Sequence, residues 1–165
     1  MFKSLLMMLA LAMPASAQFL GNWYGQGTPP ITGSCGTPIT NSWIYAHGST
    51  QIGNQLIFKT ADRQWWCSQN HSFSYVLVAG FSPQALVLPA SITGTWASTI
   101  YSSGEIIVYG TPSSSGVEYQ HIVDIPNNPS LVGLELYTQW GMFFVDGAGI
   151  GRLMLSQGLQ LTVTQ

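Results

Sequence analysis

Apolar and polar residues alternate along short stretches of this chain, and clusters of Gly, Pro, Ser, Thr and Asn separate the stretches. In "LVGLELYTQW" Val132, Leu134, Leu136 and Trp140 fall on one face of an extended strand, with Glu135, Tyr137 and Gln139 on the other. In "GLQLTVTQ" Leu159, Leu161 and Val163 share a face opposite Gln160, Thr162 and Thr164. Successive side chains of a strand point to opposite sides, so each of these strands buries one face and wets the other. A covered parallel sheet would read as an unbroken apolar run instead. No segment beyond residue 17 has helical periodicity. The pattern therefore predicts an all-β fold, an antiparallel, jelly-roll-like β-sandwich. Its predicted strands are Phe19–Tyr24, Ser42–Ala46, Gln55–Lys59, Phe73–Val78, Gly94–Tyr101, Glu105–Tyr109, Val117–Asp124, Val132–Trp140, Met142–Val145, Gly151–Leu155 and Leu159–Thr164.

A stiff turn precedes the most regular of these strands. In "IPNNPSLVG", Pro126 fixes its own backbone angle and pushes Ile125 toward an extended conformation, and Pro129 does the same to Asn128. Asn127 and Asn128 form turns readily because their side chains bond to nearby backbone groups. Proline cannot continue a ladder, so the strand must begin after Pro129.

The first residues, "MFKSLLMMLALAMPASAQ", read as a signal peptide with Lys3 as its charge, an apolar stretch from Leu5 to Met13, and the small-x-small site Ala15-Ser16-Ala17. Cleavage after Ala17 leaves residues 18–165 as one β-sandwich domain, secreted to the periplasm, the outer surface or the medium. The apolar stretch is too short to span a bilayer, and no later one is longer. "TPSSSG", residues 111–116, is a loop too short to divide the chain into domains.

Charge narrows the partners. Only 6% of the chain is charged. After cleavage Lys59, Arg63 and Arg152 face six carboxylates, a net −3. Nucleic acid needs clustered Lys and Arg, as does an anionic membrane surface, so neither is an expected partner. The chain is still rich in aromatic and branched residues, which disordered chains lack. Two cysteines, Cys35 and Cys67, form an even pair in an exported chain, which points to a disulfide adding about 3–4 kcal/mol. Two free thiols are the alternative.

Enzyme chemistry has little to stand on. No nucleophile elbow, zinc-protease helix, phosphate loop or dinucleotide fingerprint occurs, and no catalytic residue, metal site or cofactor is expected. Glu105, Glu118 and Glu135 would be the carboxylates of a glycosidase, but their alternation reads as solvated strand positions. His47, His71 and His121 are scattered, and His121 reads as a packed, hydrogen-bonded ring beside Tyr119 and Val123. Aromatics are many for this length. Trp23, Trp43, Trp96 and Trp140 are expected in the core, where their large apolar area belongs. Trp65 and Trp66 are adjacent, so they cannot both enter one core from an extended segment. With Asp62 and Asn70 in "DRQWWCSQNH" they form the candidate ligand-binding set, rings to stack on sugars and polar groups to bond hydroxyls.

Several motifs carry a resemblance. Ile52-Gly53-Asn54, Ala79-Gly80-Phe81-Ser82-Pro83, the stretch from Ile125 to Gln139, and Leu155-Ser156-Gln157-Gly158 resemble, in the same order, a family of small exported proteins common in planctomycetes and some other marine bacteria. The resemblance spans roughly residues 25 to 163. It implies an exported β-sandwich module and brings no catalytic residues and no established activity with it. Family members usually carry a later cysteine near the strand after "LP", where this chain has Trp96. A rival resemblance starts from "FLGNWYGQG": Gly21-x-Trp23 is similar to the first strand of lipocalins, and Gly21-x-Trp23-x-Gly25-x-Gly27 is similar to the opening of nitrobindin-like haem barrels. It implies a closed barrel holding haem or lipid, with His121 as the one plausible axial ligand. The expectation carried forward is a secreted or cell-surface module without catalysis that binds carbohydrate or another surface polymer, or serves a structural role among envelope proteins.

Overall fold

The computed structural model describes residues 20–25, 31–32, 38–39, 43–61, 73–93, 98–112, 118–145 and 149–165. Its strands are β1 (Asn22–Tyr24), β2 (Ile31–Thr32), β3 (Pro38–Ile39), β4 (Trp43–Gly48), β5 (Gln55–Ala61), β6 (Phe73–Gly80), β7 (Pro83–Leu88), β8 (Ser98–Ser102), β9 (Ile106–Tyr109), β10 (Thr111–Pro112), β11 (Glu118–Asp124), β12 (Glu135–Val145), β13 (Gly151–Leu155) and β14 (Gly158–Thr162). One short helix, α1 (Ala90–Thr93), follows β7.

The fold is an all-β sandwich. Six strands form one sheet in the order β1-β14-β12-β6-β9, with β13 pairing the far half of β12. The facing sheet runs β10-β11-β5-β4. Every strand pair is antiparallel. Between the sheets lie Ile44 and Ala46 of β4, Leu56 and Phe58 of β5, Tyr75 and Leu77 of β6, Trp140 and Met142 of β12, Met154 of β13, and Leu159 and Leu161 of β14. All recur at alternate positions, as the period of a strand requires. Each fully buried Ile, Leu or Phe stabilises the fold by roughly 1.5–3 kcal/mol.

The sheets are tied at both sides but are not closed into a barrel. On one side the Trp23 indole N–H donates to the Ile44 carbonyl at 2.8 Å, and the Leu20 N–H donates to Ala46 at 3.2 Å. On the other, Gly110 carries the chain from β9 in one sheet to β10 in the next. A side chain there would begin 2.6 Å from the Trp140 ring, so only glycine allows so close a crossing. The closed-barrel expectation is thus corrected. The interior between the sheets is packed by Trp140, Phe58 and the Tyr75–Tyr119 stack, whose ring centroids are 3.7 Å apart.

Two further expectations change. The two strands expected at Val132–Trp140 and Met142–Val145 merge into one, β12, which starts at Glu135, because Gly141 continues the ladder to both β6 and β13 instead of breaking it. The outer face of β12 is also not wet along its length. The β7–β8 pair forms a third layer over it, a hairpin whose first strand the alternation pattern missed. Gln139, on the polar face, is 1% exposed. Its amide N–H groups donate to Ser156 O at 2.6 Å and Thr99 O at 2.9 Å, and its oxygen accepts the Tyr101 N–H at 3.0 Å. Ser156 and Gln157 sit in a β-bulge, where Gln139 and Trp140 of β12 face Ser156, Gln157 and Gly158. The "YTQ" and "LSQG" motifs therefore meet at one buried polar joint.

The proline turn behaves as predicted. Asn128 caps a 3-10 turn, Pro129–Leu131, its side-chain oxygen accepting the Ser130 N–H at 3.0 Å. The strand begins at Glu135, after Gly133 and Leu134 have bonded to Val163. The "GFSP" stretch is also a turn. The Glu105 carboxylate accepts the Phe81 N–H at 3.3 Å, and the Ser103 hydroxyl accepts the Ser82 N–H at 3.2 Å. Both acceptors lie where a side chain on residue 80 would go, which fixes Gly80.

Candidate functional site

Three strands place polar side chains in a row on the outer face of the six-stranded sheet. Asn22 of β1 is opposite Gln160 of β14, and Gln160 is opposite Tyr137 of β12. In the next row Thr162 is opposite Glu135. The Gln160 amide donates to the Tyr137 hydroxyl at 3.3 Å, and that hydroxyl donates to the Glu135 carboxylate at 2.5 Å. Asn22, Glu135 and Thr162 are exposed, Gln160 is half-buried and Tyr137 is buried, so the row meets solvent through Asn22, Glu135 and Thr162. The bond to Glu135 holds the Tyr137 proton and raises its pKa above the ordinary phenol value, with partial desolvation and the carboxylate charge adding to the effect.

A tyrosine cluster supports this row from one side. Tyr24 meets Tyr101 and Tyr137 edge-to-face, with centroids 5.6 and 5.8 Å apart, and its hydroxyl donates to the Tyr101 carbonyl at 2.8 Å. Burial pushes the Tyr24 phenol far above its ordinary value, and the neighbouring Tyr137 and Tyr101 push the same way. Glu105, near the far end of the row where Tyr137 is opposite Gly80, is held below the usual carboxylate range. The Ser103 hydroxyl is the main cause, and backbone N–H groups of Glu105 and Phe81 add to it.

A second concavity opens at one end of the sandwich. It has a volume of about 120 Å³ and is walled by Leu56 and Val123 of one sheet and by Leu136 and Leu161 of the other, with Pro126 and Leu131 of the proline turn at its rim. Its walls are apolar. An apolar cavity of about 150 Å³ holds a benzene ring, so this one fits a single small ring or a short alkyl end. It is too small for haem, since drug-sized ligands occupy about 300 Å³ or more.

Trp65, Trp66, Asp62 and Asn70 are outside the described residues, as are Cys35, Cys67, His71, Trp96 and residues 1–17. Trp140 is in the core as expected. Trp23 is not: its ring is 48% exposed, because β1 is an edge strand and the indole reaches across to β4 rather than inward. Glu105 and Glu135 are exposed, and each is bonded to its own neighbours. His121 is half-buried. His47 stands edge-on to Tyr45. Among the described residues no three metal-ligating side chains converge, and no helix is long and apolar enough to cross a membrane. The outer row itself was half legible. Alternation put Glu135, Tyr137, Gln160 and Thr162 on polar faces, but nothing in the sequence paired β12 with β14 or β14 with β1.

Comparison with family models, curated proteins and solved structures finds no match to this chain.

Proposed function

We propose that the protein is an exported, non-catalytic β-sandwich module that binds a neutral polysaccharide or similar hydroxyl-rich surface polymer along the outer face of its six-stranded sheet. The observation that supports this most is the relay from Gln160 through Tyr137 to Glu135. It aligns an amide, a phenol and a carboxylate while leaving acceptor sites on Glu135 for a ligand hydroxyl. Asn22 and Thr162 extend the same face with a donor-acceptor pair and a hydroxyl. A row of neutral polar groups with one carboxylate suits a hydroxyl-rich ligand better than an anionic one. Trp65, Trp66, Asp62 and Asn70 would form a second stacking patch in the same reading.

The test is a thermal-shift screen of residues 18–165 against soluble polysaccharides. A ligand present at about one hundred times its Kd stabilises the folded state by about 2.7 kcal/mol, which raises Tm by about 5–10 °C. The shift should vanish in the double variant Glu135→Gln, Gln160→Ala. A shift that survives there and is lost on substituting Trp65 and Trp66 would move the site to the second patch. One observation favours a different ligand, the apolar cleft under the proline turn, which suits a short alkyl or single-ring group. A shift with such a compound and with no polymer would favour that reading.

A further inference from the structure

Strand β9 ends the six-stranded sheet, and its backbone direction can be read from the neighbouring bonds. Trp140 and Ser156 bond to one another, so Trp140 turns its backbone toward β13 and β14. Gln139 and Gly141 must then turn theirs toward β6, where they are opposite Val78 and Val76. Tyr75, Leu77 and Ala79 consequently face β9. The Gly110 N–H agrees, donating to the Tyr75 carbonyl at 2.9 Å. Val108 and Ile106, opposite Leu77 and Ala79, are thus the inward-bonded residues of β9. Ile107 and Tyr109 direct their N–H and C=O groups away from the sheet. No described strand or side chain meets that edge. Their side chains are also the most exposed large apolar groups of the sheet, 64% for Ile107 and 77% for Tyr109.

A free edge of this kind recruits other strands unless something blunts it. Strand β7 shows the blunting devices: Pro83 and Pro89 bracket it, and its register against β8 is irregular between Pro83 and Leu86. Strand β9, Ile-Ile-Val-Tyr, has no proline, no charge and no register shift. The outward amides and carbonyls of Ile107 and Tyr109 match the ladder of another strand.

We infer that the β9 edge pairs with the β9 edge of a second copy, antiparallel about a two-fold axis at Val108. In that register Ile107 bonds opposite Tyr109 of the partner subunit, and the exchange repeats across the axis. β-branched and aromatic residues pair well across strands. The sequence is self-complementary because both outward residues are apolar and neither is charged. Glu105 falls outside the paired stretch, opposite Thr111 of the partner subunit, so the two Glu105 carboxylates do not meet. The low charge of the whole chain leaves little repulsion between copies. The inference does not depend on the polymer reading, since β9 lies at the opposite edge of the sheet from β1.

The test is sedimentation velocity of the purified mature chain over a wide concentration range, with amide hydrogen exchange as the second readout. The expected result is a monomer–dimer equilibrium, with Ile107 and Tyr109 amides that exchange slowly when concentrated and quickly when dilute. Tyr109→Lys should weaken the dimer roughly tenfold or more, since it removes both cross-strand pairs and sets cations at the joint. A monomer at every concentration, with both amides exchanging fast, would overturn the inference. So would a dimer that Tyr109→Lys leaves intact. If that variant fails to fold, the exchange of the two amides in the unaltered protein decides the matter.

Discussion

Gln139→Ala should be among the most damaging single substitutions in the protein. Gln139 is a polar residue on a face that alternation marks as wet, yet it is buried and makes three hydrogen bonds to the backbone of Ser156, Thr99 and Tyr101. Truncation removes one buried methylene group, at about 0.8 kcal/mol, together with the carboxamide, and orphans the Tyr101 N–H, at about 1–3 kcal/mol. The two carbonyls lose less, because each has a second lone pair. The total is about 2–4 kcal/mol, set against the 5–15 kcal/mol typical of a whole domain. For a chain of this size that lowers Tm by about 5–12 °C. The assay is urea unfolding followed by tryptophan fluorescence. Gln139→Leu is the control, because it keeps the volume and loses only the bonds. It should retain a deficit of about 2 kcal/mol. Gln139→Glu should be worse than either near neutral pH, since it aims a carboxylate at two carbonyl oxygens. A Gln139→Leu protein that unfolds within about 0.5 kcal/mol of the unaltered chain would refute the reasoning, because the joint between the layers would then rest on shape alone.

Two other predictions follow from single groups. Thr60 is buried, and its hydroxyl has no hydrogen-bond partner among the described residues, so Thr60→Val should raise stability by about 1 kcal/mol in the same urea assay; a lower midpoint would show that the hydroxyl is satisfied. Tyr24 and Tyr137 have folded-state pKa values raised above their unfolded value of about 10. Their contribution is complete below that pH and is lost as pH rises through the folded values, so Tm should fall on the alkaline side of about pH 10 while both phenols ionise late at 295 nm. Ordinary ionisation with an unchanged Tm would contradict that.

What the sequence made legible was whatever depends on local spacing. Leu159 and Leu161 alternate with Gln160 and Thr162, and they divide between core and solvent as the two-residue period requires. Pro126, Asn128 and Pro129 encode a turn by their own backbone preferences, and that turn is present. The same reasoning failed where a third layer covers a sheet. Tyr137 and Gln139 read as solvent-facing because amide and phenol groups favour water; the partners that bury Gln139 arrive from β8 and the bulge at Ser156, and Tyr137 is covered by Tyr24 and bonded to Glu135 and Gln160. Trp23 read as core because of its area, but a strand at the edge of a sheet leaves one face of such a ring open. Glu135 was identified as a polar strand residue. Its place beside Tyr137, Gln160, Thr162 and Asn22 is set by long-range register, which no local pattern records.

The central claim is that the outer row of the six-stranded sheet binds a hydroxyl-rich polymer, and amide chemical-shift mapping tests it most directly. The isotope-labelled mature protein would be titrated with soluble oligosaccharides from the polymer that gives the largest thermal shift. The account predicts perturbations that concentrate at Asn22, Glu135, Tyr137, Gln160 and Thr162 and that saturate. Perturbations confined to residues 62–71, or to the apolar cleft around Leu56 and Leu161, would contradict it.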